Sequence, residues 1–207
     1  MQKIQHRDFV TVVSGLPRSG TSMMMRMLDA GGVPAFADND RQADADNPCG
    51  YFEYQAIKKV GEESAWMAQA VGHAIKAIHV LLYHLPRQYR YRILFMRRDL
   101  GEVIASQETM LQRLGAAPGA MDPKVLACHF ETQLQQAEAW VLRQSNMSLI
   151  DLDYAEVVHD PSATAYQVAK FLGGGLDTAK MAAAVEPALY RQRLGQVNGN
   201  GLVSASL

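Results

Sequence analysis

Between Gly15 and Ser22 the chain reads Gly-Leu-Pro-Arg-Ser-Gly-Thr-Ser, two glycines five positions apart followed by two hydroxyl residues. That is the glycine spacing of a phosphate-cradling P-loop, but Thr21 stands where a nucleotide triphosphatase carries its lysine. The setting gives the match its meaning. The apolar run Phe9 to Val13 reads as a buried parallel strand, and Met23 onward as the apolar face of a helix. A turn between them aims backbone N–H groups, backed by a helix N-terminus, at an anion. Arg18 adds a planar, permanently charged fork inside the turn.

The missing lysine bears on which anion. Phosphoryl transfer moves a highly charged unit that enzymes neutralise with magnesium and the loop lysine. A sulfuryl group carries less charge, so amides, hydroxyls and one or two cations can hold it without metal. Arg18, Ser19, Gly20, Thr21 and Ser22 supply such donors. A second candidate anion site lies in Tyr91 to Leu111, a β-rich run followed by a helix. Asp99 and Glu102 have capping-box spacing, which predicts a helix start at Asp99. Ser106 lies seven positions on, two helical turns, and so returns to the face of that start. Arg98 and Ser106 can thus converge at the carboxyl end of a strand, where open α/β sheets bind ligands.

Together the loop and the Arg-x7-Ser pair, Arg98 and Ser106, resemble the sulfotransferases that use 3′-phosphoadenosine-5′-phosphosulfate (PAPS). The loop is most similar to the Pro-Arg-Ser-Gly-Thr variant of tyrosylprotein and several bacterial sulfotransferases. A third piece, Tyr154, Asp160, Pro161 and Phe171 to Gly173, resembles the family's Tyr-Glu-Asp-Leu…Asp-Pro…Phe-Leu-Gly ending. The likeness spans most of residues 9 to 175. It implies that the loop binds the 5′-phosphosulfate, that Arg98 and Ser106 bind the 3′-phosphate, and that Tyr154 neighbours the adenine. It departs at Ala155, Glu156 and Val157, which replace Glu-Asp-Leu. The family's C-terminal basic-glycine nucleotide contact has only Arg191, Arg193 and Gly195 as a loose substitute.

Transfer to a hydroxyl or amine also needs a base for the acceptor's proton. Glu53 follows the turn Asn47-Pro48-Cys49-Gly50, and tyrosylprotein sulfotransferases place a glutamate base at a comparable position after the first helix. A glutamate in a first helical turn is equally explained by the helix dipole. His79 is the rival, because small-molecule sulfotransferases have Lys-Thr-His at the end of the second strand. Here Lys76 and His79 are three apart, so a regular strand would set them on opposite faces. Lys76, amid the apolar residues Ala74 to Ile78, calls for an anionic partner and is placed beside Arg18 on the transferring sulfonate.

Strands are expected near Phe9–Ser14, Ala74–His79, Tyr91–Met96 and Met147–Leu152. Helices are expected near Thr21–Ala30, Tyr54–Gly61, Asp99–Leu114, Pro123–Gln144 and Ser162–Leu172. This alternation predicts an α/β, P-loop-type three-layer fold, with a mainly parallel sheet flanked by helices. Residues 32–50 read as a long polar loop, and its acidic stretch Asp38 to Asp46 as a lid or a solvated segment. The 207 residues fit a single domain with a poorly ordered tail after about 190. A net charge of −1 argues against a nucleic-acid binder. Cys49 and Cys128 are too few for a disulfide framework, no run reaches a membrane span, and no histidine or cysteine spacing suggests a metal. The expected protein is therefore a cytoplasmic, metal-independent sulfotransferase binding a sulfonucleotide and an acceptor. A small-molecule kinase and a non-catalytic sulfonucleotide-binding protein remain the alternatives.

Overall fold

Every residue of strand β1 (Val10–Gly15) is buried, as its apolar and β-branched sequence requires of a central strand. The computed structural model describes residues 7–38, 50–115 and 121–190. Within them β1 pairs in parallel with β2 (Ala74–Lys76) and β3 (Tyr91–Arg97), and β3 with β4 (Met147–Asp153). The strand order is β2-β1-β3-β4. Chain order therefore reverses across β1 and β3, and the carboxyl ends of those two strands flank a topological switch point.

Seven α-helices cover the described sheet: α1 (Thr21–Ala30), α2 (Met67–Ala70), α3 (Leu100–Arg113), α4 (Pro123–Val141), α5 (Tyr154–His159), α6 (Pro161–Phe171) and α7 (Thr178–Ala183). The two-residue strand period sorts the core into two layers. Val12, Ile93 and Phe95 face Val103 of α3 and Leu134 of α4. Val13, Leu94 and Met96 face Met24, Met25 and Leu28 of α1, with Val168 of α6 and Met181 of α7. The result is the three-layer α/β fold that the alternation predicts.

Two expected elements differ. The helix expected over Tyr54–Gly61 is a 3-10 turn, Gln55–Lys59. Ile57 and Val60 are both buried, and Tyr54, Ile57 and Val60 recur at the three-residue spacing that a 3-10 turn stacks on one face. Tyr54 is fixed there by edge contacts to Phe36 and Trp66, at 4.9 and 4.8 Å between ring centres. Strand β2 ends at Lys76 rather than His79, and a 3-10 turn (His79–His84) follows. The short helices α2, α5 and α7 were not foreseen. The acidic stretch beyond Asp38, the turn at Asn47 to Cys49, residues 116–120, and the tail with Arg191, Arg193 and Gly195 lie outside the described residues.

Candidate active site

Strand β1 delivers the loop at Gly15, whose φ is +140°. A Cβ there would sit 2.6 Å from the Met96 carbonyl oxygen of β3, so the two strands approach this closely only around glycine. Ser19 closes the turn, its Oγ and N–H donating to the Leu16 carbonyl at 2.7 and 3.2 Å. Arg18 holds φ +77°, a strained conformation for a residue with a side chain. Gly20, at φ +97°, is the N-cap of α1, and no side chain caps that helix. Uncapped N–H groups and the positive end of the dipole suit an anion.

The loop opens into a cavity of about 410 Å³ that holds most of the residues singled out from sequence. Arg18, Gly20, Thr21, Ser22, Glu53, Lys76, Arg98, Ser106 and Tyr154 all line it. Six cationic side chains line it (Arg18, Arg26, Lys58, Lys76, Arg98 and Arg113), against two carboxylates, Glu53 and Glu186. Both carboxylates are engaged: Glu186 with Arg26 at 2.7 Å and Glu53 with Lys76 at 3.5 Å. A chain of net charge −1 thus concentrates positive charge at this one site.

Lys76 leaves the end of β2 toward the start of α1. Its ammonium donates to Ser22 Oγ at 3.2 Å and to the Tyr51 carbonyl at 2.5 Å. The anionic partner that its sequence setting calls for is Glu53. The turn carrying Glu53 is itself fixed: Asp38 N–H donates to the Glu53 carbonyl, and the Asp38 carboxylate accepts from Gln55 N–H. Phe52, immediately before Glu53, adopts φ +51°, a second strained residue at the cavity edge.

The two anion sites kept apart in the sequence meet at Arg18. Arg18 Nε donates to Ser106 Oγ at 3.0 Å, and Arg98 Nη1 donates to the Arg18 carbonyl at 3.0 Å. Arg97 turns the other way, onto Asp151 and Glu138.

A model of the sulfotransferase domain matches residues 9–192. The chain belongs to the sulfotransferase family. The match is to that family and not to the kinase read as an alternative. Among solved structures, the fold is similar to the sulfotransferase domain of the curacin biosynthetic pathway, with 15% identity, a TM-score of 0.51, and 93% of this chain and 94% of that one covered. The sulfotransferase domain of the Synechococcus PCC 7002 olefin synthase gives 14%, 0.51, 96% and 92%. Retinol dehydratase, solved with androsterone and inactive cofactor PAP, gives 16%, 0.49, 88% and 65%. No curated protein matches the chain.

Two residues singled out for this sulfotransferase site face away from the cavity. Ser19 is 1% exposed and engaged within the turn, so it shapes the loop. His79 is 4% exposed, with Nε2 3.1 Å from Gln133 Oε1 of α4. Because β2 ends between Lys76 and His79, only the lysine reaches the cavity. Tyr154 lines the cavity but is 5% exposed, its ring packed on Gly20 and 4.5 Å beneath the Arg98 guanidinium. The expected capping box forms by half. Asp99 accepts from Glu102 N–H at 3.0 Å, while the Glu102 carboxylate holds Arg98 instead of reaching back. A buried guanidinium beside it is the stronger claim on that charge. Asp38 and Tyr190 were missed. Asp38 was read only as the head of an acidic stretch, and Tyr190 acts through Glu102, a partner far away in the chain. Among the described residues, no group of three or more His, Cys, Asp or Glu is placed to hold a metal. No described helix is long and apolar enough to cross a membrane.

Proposed function

We propose that this sulfotransferase moves a sulfuryl group from PAPS to a hydroxyl or amine acceptor by in-line displacement. The observation that carries the reading is the convergence of Arg18, Lys76 and Ser22 at the uncapped start of α1, in one cavity with Arg98 and Ser106. This donor set fits a sulfonucleotide: backbone amides, hydroxyls and fixed cations. PAPS supplies a sulfuryl group on a 5′-phosphate leaving group.

In the proposed mechanism Gly20, Thr21 and Ser22 hold the 5′-phosphate. Arg18 and Lys76 stabilise the negative charge that collects on the leaving oxygen as its bond to sulfur breaks and the acceptor's bond to sulfur forms. Glu53 takes the acceptor's proton, with Lys76 beside it to orient the carboxylate and balance its charge. Arg98 and Ser106 hold the 3′-phosphate, and Tyr154 supports Arg98 from beneath. The remaining lining, Met23, Ile57, Ile78, Leu81 and Met110, suits the apolar body of an acceptor and excludes water. A reducing cytoplasm is the proposed compartment, in keeping with Cys128, an exposed free thiol.

The test is calorimetry with adenosine 3′,5′-bisphosphate (PAP) against ATP–magnesium, followed by PAPS turnover over an acceptor panel. PAP binding without ATP–magnesium binding is expected. Arg18→Ala should lower turnover by about 10²–10³-fold with the circular dichroism spectrum unchanged. Near-normal turnover in that variant would refute the assignment.

A further inference from the structure

Glu102 is 6% exposed, and no step of the proposed mechanism uses it. Its carboxylate is shared between two donors: Oε2 accepts from Arg98 Nε at 3.0 Å, and Oε1 accepts from the Tyr190 hydroxyl at 2.9 Å. Burial and the Glu102 hydrogen bond push the Tyr190 phenol up to about 12, so it remains a protonated donor at working pH. Arg98 is held on further sides. Its guanidinium carbon lies 4.5 Å from the Tyr154 ring centre and 5.3 Å from that of Tyr190, and the two rings meet edge to face at 4.9 Å. Groups from the glycine loop, the start of α3, the start of α5 and the segment after α7 thus fix one guanidinium in place and in plane.

A buried ion pair adds little net stability, because desolvation offsets its attraction. Its consequence here is orientation. A free arginine side chain loses rotamer freedom when it grips an anion, and a pre-set fork avoids that loss. Glu102 takes Nε and the Arg18 carbonyl takes Nη1, while Arg98 still lines the cavity. We infer that Glu102 and Tyr190 are positioning residues for Arg98, and that through them the segment after α7 sets preference for a donor carrying a 3′-phosphate. The inference rests on the proposed reading in which Arg98 meets that phosphate. It also gives the nucleotide site a contact from the C-terminal side, within the span that the family model matches. The opposite role, a carboxylate competing with phosphate for Arg98, would carry the reverse sign.

The experiment is calorimetry of PAP and of adenosine 5′-monophosphate with wild type, Tyr190→Phe and Glu102→Gln, beside unfolding midpoints. Each variant should lose about tenfold in PAP affinity while its affinity for the monophosphate stays within about twofold of wild type. Parallel losses for both nucleotides, or no loss for PAP, overturn the inference. Tighter PAP binding by Glu102→Gln also overturns it, in favour of competition. Tyr190→Phe removes one oxygen and carries the test if Glu102→Gln does not fold. A wild type that does not prefer PAP over the monophosphate overturns the donor reading itself, and the inference with it.

Discussion

Gly20→Ala and Gly32→Ala make a matched pair, because nearly the same positive φ occurs in two surroundings. The φ angles are +97° and +94°. A Cβ on Gly32 would meet nothing within 4 Å, whereas one on Gly20 would lie 2.4 Å from Cδ2 and 2.9 Å from Cε2 of Tyr154. The left-handed backbone alone costs an alanine roughly 1 kcal/mol, and Gly32→Ala should lose that much. Gly20→Ala adds an overpacking cost of about 1–3 kcal/mol, because the Tyr154 ring cannot step aside. That ring is 5% exposed and pinned by Arg98 and Tyr190. For a domain of this size the unfolding midpoints should fall by about 2–4 °C for Gly32→Ala and about 5–15 °C for Gly20→Ala. Urea titration gives the free energies, and calorimetry with PAP gives the functional half. Gly32 is not in the cavity wall, so its variant should bind PAP as wild type does, while Gly20→Ala should bind it far more weakly. Equal destabilisation of the two variants, within about 0.5 kcal/mol, would show that Tyr154 is not wedged against the loop, and the reasoning fails.

Glu53→Gln should lower kcat by about 10²–10⁴-fold and change PAP affinity much less, since the proton moves only in the transfer step while the pairing with Lys76 touches the donor only indirectly. Stopped assays with saturating PAPS decide it, and a kcat close to wild type removes Glu53 as base. Tyr190 should ionise only as pH approaches about 12, against an ordinary 10.0, followed as tyrosinate absorbance with Tyr190→Phe subtracted. Folding raises this pKa, so the stability it contributes is fully present below pH 10 and is lost as pH rises through about 12. Glu102→Gln should bring the transition part of the way down, because burial, the larger cause, remains. An unmoved transition would mean that Glu102 does not accept from Tyr190.

The sheet was legible because its strands obey simple rules. Phe9 to Val13 is apolar but for the β-branched Thr11, as suits a strand covered on both faces, and the loop glycines fall where β1 must turn. Asp99 announced the start of α3, and it accepts the Glu102 N–H there. Of the site, the glycine loop, Lys76, Arg98 and Ser106 could be read, because each sits at a fixed offset from a strand end or helix cap. Less legible was what holds them. Whether Lys76 or His79 faces the cavity depends on β2 ending after three residues, with the following turn, His79–His84, packed on α4. The pairings of Glu102 with Tyr190, and of Asp38 with the Glu53 turn, join residues 88 and 15 to 17 positions apart in ways no local spacing encodes.

The lysine that the loop lacks is not missing from the site, because it arrives from β2. A lysine within a P-loop is fixed to the nucleotide by the loop's own backbone and serves the donor alone. Lys76 instead stands between two partners, 3.2 Å from Ser22 Oγ at the start of α1 and 3.5 Å from Glu53. In the proposed mechanism one ammonium therefore faces both the departing 5′-phosphate and the carboxylate that takes the acceptor's proton. A carboxylate beside a polyanionic donor is repelled by it, and an ammonium between the two offsets that repulsion. With that ammonium between them, the donor and the proposed base can share one small cavity. For sulfuryl transfer, in which less charge must be neutralised than in phosphoryl transfer, one shared cation and Arg18 can meet the demand of the departing group. In the proposed mechanism Thr21 in the loop and Lys76 at the end of β2 belong to one arrangement, the strand supplying the cation that the loop does not.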